Sequence, residues 1–119
     1  MRNPAFPLFR MAFWVAYVLA LIVSSLMPVA FPEAPEGSDK AFHLLAYCLL
    51  VIFWPPAWFR PAAVMFVFAA GLGAVLEIAQ GVLPTGRFAD PWDAVANCLG
   101  AGLGLACLLA WRKMGRGAA

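Results

Sequence analysis

Residues 77–97 read EIAQGVLPTGRFADPWDAVAN, and the fold turns on this stretch. The chain is apolar from residue 61 up to Leu83, and apolar again from about Asp93 to Leu109. Between the two runs, Pro84-Thr85-Gly86-Arg87 has turn chemistry, because proline lacks a backbone donor and glycine tolerates conformations other residues avoid. The stretch is therefore the joint of a helical hairpin. It sets Glu77 and Gln80 near the end of the first run and Asn97 inside the second. Polar groups at that depth in hydrocarbon face protein or a wet cavity, so function is expected here.

Composition sets the class. Hydrophobic residues make up 65% of the 119 and charged residues 12%, against roughly 45–50% and 25% in ordinary globular domains. An integral membrane protein of one domain, residues 1–119, is expected. The formal charge of +2 is small, and no basic run with interleaved aromatics occurs, which excludes nucleic-acid binding. Cys48, Cys98 and Cys107 are odd in number, widely spaced and set in apolar sequence. They fit neither a disulfide framework nor a thiolate zinc site, and read as small core residues.

Arg2 and Arg10 precede an apolar run over residues 11–27. A secretory signal cleaved near Pro28-Val29-Ala30 is the competing reading. The run exceeds the usual core of about 7–15 residues, and Trp14 and Tyr17 sit near its start as interfacial anchors would, so an uncleaved first helix is expected. Pro28 and Pro32 end it, and a short acidic loop with Glu33 and Glu36 follows. Ser38 or Asp39 can cap a second helix, which spans residues 40–54 before Pro55-Pro56 stops it. At about 1.5 Å per residue it is short for a roughly 30 Å hydrocarbon core, which implies thinning or burial against neighbours. Third and fourth helices are expected over residues 62–83 and 92–111.

The result is an all-α, polytopic four-helix bundle with both termini on one side. Arg2, Arg10, Arg60, Arg112, Lys113 and Arg116 collect on that side, against only Lys40 and Arg87 on the other. The richer side is cytoplasmic by the positive-inside rule. Asp39, Lys40, Arg87, Asp90 and Asp93 then lie externally, with His43, Glu77, Gln80 and Asn97 in the outer half of the membrane.

Positions three, four and seven apart share a helix face. Lys40, His43 and Tyr47 form one stripe, Gly73, Glu77 and Gln80 a second, and Asp93, Asn97, Gly100 and Gly104 a third. Glycines beside the polar groups let backbones approach, so the polar faces are expected to point inward. Glu77 lies roughly 9 Å below the external end of its helix and Asn97 about 6 Å below Asp93, within reach of one shallow outward-facing pocket.

The pattern Asp39-Lys40-x-x-His43-x-x-x-Tyr47, then Glu77-x-x-Gln80, Arg87 and Asp93-x-x-x-Asn97-x-x-Gly100, closely resembles the VanZ-like family of bacterial membrane proteins. The likeness covers residues 39–104. It implies a small protein of the bacterial inner (cytoplasmic) membrane, one branch of the family being associated with resistance to the glycopeptide teicoplanin.

Residue chemistry divides the roles. Glu77, an acid at depth, is neutral or paired, with Arg87 and His43 the available cations or donors; its alternative is a tie between helices. His43, the only histidine, could carry a proton or ligate a metal with Asp39, Glu77 and Asp93, or simply bond across helices. The assignment made is acid–base chemistry by His43, Glu77 and Asp93, with no metal and no cofactor. Arg87 could hold a phosphate or carboxylate bidentately, or pair internally with Asp90 or Asp93. Lys40 is a second ligand contact or a solvated charge at a helix start. Asp39, Tyr47, Gln80 and Asn97 complete the ligand-binding set, the amides orienting other groups without titrating. No serine neighbours His43 in sequence, which disfavours a serine hydrolase.

The leading expectation is a protein that binds or helps modify an anionic, lipid-linked envelope molecule, alone, as a homo-oligomer or within a larger membrane complex. Alternatives are an acid–base enzyme on such a lipid, a proton- or ion-coupled transporter component, and a scaffold whose polar cluster only sets helix register.

Overall fold

The computed structural model describes residues 5–28, 35–58 and 60–118. Arg2, Val29, Ala30, Pro32, Glu33 and Phe59 lie outside them. The described residues form four α-helices: α1 (Ala5–Leu26), α2 (Ser38–Ile52), α3 (Ala62–Val82) and α4 (Pro91–Gly117), with a short 3-10 turn at Pro56–Trp58. Helices α1, α3 and α4 are long and apolar enough to cross a membrane.

The helix ends follow from local chemistry. α1 is helical from Ala5, the first described residue, and so extends further toward the N-terminus than residue 11. α2 is capped by neither Ser38 nor Asp39. Its N-cap is Gly37 at φ 80°, a left-handed conformation that glycine adopts without strain. α2 closes at Ile52, two residues before the expected end, since Trp54 precedes Pro55 and is disfavoured from helical geometry. Asp90 caps α4 by accepting the Trp92 N–H at 2.9 Å, with Pro91 in the first turn. No proline follows to stop α4 at 111. It continues through Arg112 and Lys113 to Gly117, with Arg116 beside the negative end of the helix dipole.

α2 and α4 meet backbone to backbone. A Cβ on Gly100 would strike the Leu44 carbonyl and one on Gly104 the Cys48 carbonyl, both spaced one turn apart. This small-residue seam permits the close approach on which membrane helices rely in the absence of a hydrophobic force between them. α3 joins α4 where Gly73 leaves room for Asn97, whose Nδ2 would lie 2.9 Å from an added Cβ.

α1 docks through two amphipathic side chains. Trp14 Nε1 donates to the Leu50 carbonyl at 2.9 Å and Tyr17 Oη to the Ala46 carbonyl at 2.7 Å, one turn apart on each helix. The expectation that these two residues anchor at the membrane interface is thereby overturned. Trp14 is only 7% exposed, and its ring packs against Trp54, Trp58 and Phe68 at centroid distances of 5.1–6.0 Å. A buried indole N–H needs an acceptor, and a helix carbonyl with a second lone pair supplies one.

Leu50, Val51, Met65, Ala69 and Ala101 are the innermost core. Outside it, Phe9, Leu19, Val67, Val75, Ile78, Leu99 and Leu103 are each more than half exposed. Such a belt around a small core is the surface of a protein whose solvent is lipid, and the chain is a membrane protein. The cysteines do not share one environment. Cys48 is buried and Cys98 partly so, but Cys107 is exposed on the apolar face of α4, which corrects its reading as a core residue. At 15 residues, about 22 Å, α2 is shorter than the hydrocarbon core, and Tyr47, Cys48, Leu50 and Val51 are buried along it.

Candidate functional site

The start of α2, the end of α3 and the start of α4 come together at one end of the molecule. There the seam at Gly100 and Gly104 sets a register that carries Lys40 and His43 of α2 up to Asp93 and Asn97 of α4, one to two turns further along the same faces.

The Lys40 ammonium is enclosed by three carboxylates: Asp90 at 2.9 Å, Asp39 at 3.1 Å and Asp93 at 3.2 Å. An ammonium has three donors, and each is used. Lys40, its side chain 38% exposed, ties α2 to the start of α4 at the solvated edge of the cluster. The Lys40 ammonium, followed by the Trp92 backbone N–H, holds the Asp90 carboxyl below the usual aspartate range.

One turn deeper, His43 Nδ1 lies 2.9 Å from Asn97 Oδ1 and His43 Nε2 lies 3.5 Å from Asp93 Oδ2. Asp93 is therefore shared, one oxygen toward the lysine and the other toward the imidazole. With Asn97 Oδ1 as acceptor, the Nδ1 position carries the hydrogen and Nε2 faces the acids. Glu77 reaches the same place from α3. Its Oε2 accepts the backbone N–H of Asp90 at 3.1 Å, pinning the connection before α4. Glu77, Asp93 and Asn97 are 7%, 8% and 1% exposed.

One ligand atom each from His43, Glu77 and Asp93 lie within 4.8 Å of one another, as do one each from Asp39, Asp90 and Asp93. The second group already encloses the Lys40 ammonium.

Asp39, Lys40, His43, Glu77, Asp93 and Asn97 thus gather in one cluster, while the remaining expected site residues stand apart. Gln80 donates to the Ser25 carbonyl at 2.7 Å and joins α3 to α1. Arg87 pairs with neither Asp90 nor Asp93. Its Nε donates to the Met27 carbonyl at 2.7 Å and Nη2 to the Ser24 carbonyl at 3.3 Å, capping the end of α1. Helix C-termini present carbonyls without intrahelical partners, and a guanidinium satisfies two at once. Tyr47 belongs to the hydrophobic core. Asp90 is the member that sequence reasoning passed over. Its signal was the Asp-Pro pair opening an apolar run, which marks an N-cap and so fixes the carboxylate at a helix start.

Beside the cluster an apolar groove of about 410 Å³ runs between α2 and α4, lined by Ala41, Leu44, Trp92, Val95, Ala96 and Leu99, with Lys40 at its head. Compared with known proteins, the chain matches no family model, no curated protein and no solved structure.

Proposed function

We propose that the chain is a four-span, VanZ-like protein of the bacterial inner membrane, with both termini cytoplasmic and the polar cluster on the external side. We infer that it binds, or helps to modify, an anionic lipid-linked envelope molecule there. The observation that carries this reading is the continuity of the groove between α2 and α4 with Lys40 and the carboxylates at its head. An amphipathic molecule fits such a site, its chain along Leu44, Val95 and Leu99 and its headgroup among the charges. Asp39, Asp90 and Asp93, gathered around the Lys40 ammonium, accept from hydroxyl or amine groups on the headgroup.

The modifying form of the reading draws on His43. Its ring is oriented by Asn97 with Nε2 toward Asp93, as a proton-handling imidazole is oriented in acid–base catalysis. The test is lipid analysis of protein gently extracted from a bacterial membrane. The wild-type chain should retain a phosphate-bearing lipid enriched over the bulk membrane, and Val95→Trp, which fills the groove, should lose it. Bulk lipid composition on both proteins would end this reading.

A further inference from the structure

We infer that His43, Glu77 and Asp93 form a binding site for a divalent transition-metal ion, with Asn97 as its positioning residue. Three helices each contribute one ligand atom, and the three atoms lie within 4.8 Å of one another. The separation of His43 Nε2 from Asp93 Oδ2, 3.5 Å, is long for an N–H···O hydrogen bond, which prefers about 2.7–3.2 Å. It is the spacing of two donors that share an ion: bonds of about 2.1 Å at a near-tetrahedral angle put their ends roughly 3.5 Å apart. Glu77 supplies the third ligand atom of the set, and its Oε2 accepts the Asp90 N–H, which fixes the carboxylate beside the other two residues.

The tautomer points the same way. In the tautomer that gives its Nδ1 hydrogen to Asn97 Oδ1, 2.9 Å away, His43 presents the Nε2 lone pair toward Asp93. Two electron-rich atoms face each other across a space that calls for a cation. Metal-bound histidines are held in this way, the distal N–H given to a carbonyl or carboxylate. Gly73 fixes the amide, since any side chain at that position would meet Asn97.

Charge completes the case. Asp39, Asp90 and Asp93 share the one ammonium of Lys40, and a dication between His43, Glu77 and Asp93 offsets the carboxylate charge that Lys40 leaves. The neighbouring carboxylate group differs in that its centre is already filled by that ammonium. One imidazole and two carboxylates, without thiolate, suit a first-row divalent ion such as zinc, manganese or iron(II) and leave coordination positions for water or a headgroup oxygen.

The test uses the full chain in detergent, stripped with a chelator, dialysed against Zn²⁺ and measured for metal by mass spectrometry, with Co²⁺ absorption as a second readout. One equivalent of zinc per chain is expected. His43→Ala and Glu77→Gln should abolish uptake, Asp39→Asn should keep it, and Asn97→Ala should weaken affinity roughly 10–100-fold. Cys107→Ser should leave uptake unchanged. Glu77→Gln preserves volume and an acceptor for Asp90, so it decides the matter if His43→Ala fails to fold. Helical, stripped protein that takes up no zinc overturns the inference, as does full uptake by Glu77→Gln or its loss in Cys107→Ser. Metal is measured without added lipid, so failure here and failure of lipid retention are separate results.

Discussion

Replacing Gly100 by Ala puts a methyl group where the Leu44 carbonyl of α2 already stands. Alanine is the better helix former by about 0.8–1 kcal/mol, so propensity alone would stabilise the variant. The overlap opposes this, because the atom in the way is backbone and cannot rotate aside. Overpacking of a fixed contact costs about 1–3 kcal/mol, and with a carbonyl as the obstacle the upper part of that range applies. A net loss of about 1–2 kcal/mol follows once the propensity gain is subtracted. Two other glycines supply the controls. Gly102→Ala would place its methyl no closer than 3.9 Å to the Phe66 ring, and Gly71→Ala would meet nothing within 4 Å. The assay is unfolding in mixed micelles followed by helical circular dichroism, with the three variants side by side. Gly100→Ala should unfold at lower denaturant than wild type, and Gly71→Ala at equal or higher denaturant. If Gly100→Ala matched Gly71→Ala, the contact between the α2 and α4 backbones would be refuted, and with it the register that brings Lys40 to Asp93.

Other residues give independent checks. Trp14→Phe removes the donor to the Leu50 carbonyl and part of the buried ring, and should cost about 2 kcal/mol or more in the same unfolding assay. Arg87→Ala frees the Met27 and Ser24 carbonyls and should cost about 1 kcal/mol, with faster amide exchange confined to the last turn of α1. Asp90 has its carboxyl held below the aspartate range by Lys40 and then by the Trp92 N–H. Its contribution is therefore complete above the unfolded value of about 3.9 and is lost as pH falls through the lower folded value. Lys40→Met should flatten that acid limb of the stability profile, and an unchanged limb would count against the pairing.

Much of this was legible in the sequence because membrane burial makes polar residues conspicuous. The stripes Lys40–His43 and Asp93–Asn97–Gly100–Gly104 were visible from helical spacing alone, and those residues meet in the structure. Spacing says which residues share a face, but not which neighbour that face meets. Gln80 shares a face with Glu77, yet it turns to the Ser25 carbonyl because α1 packs on that side of α3. Arg87 was read as a ligand or ion-pair partner, when the closer demand came from the uncapped carbonyls of α1, a tertiary neighbour. Trp14 and Tyr17 resemble interfacial anchors by type and position. Only the docking of α1 on α2 shows that their polar tips serve carbonyls. Asp90 was named only as a possible partner of Arg87, and its place beside Lys40 depends on where the α3–α4 connection folds back.

The central claim is that polar side chains of α2, α3 and α4 converge at one end of the bundle. Its most direct measurement is oxidative cross-linking in native membranes, in a chain whose own Cys48, Cys98 and Cys107 are replaced by serine. His43→Cys paired with Asn97→Cys should form an internal disulfide detectable by peptide mass spectrometry, because those side chains touch at 2.9 Å. Leu45→Cys, whose parent residue is 52% exposed, paired with Asn97→Cys should not. The reverse outcome would contradict the meeting of α2 and α4 on which the convergence rests.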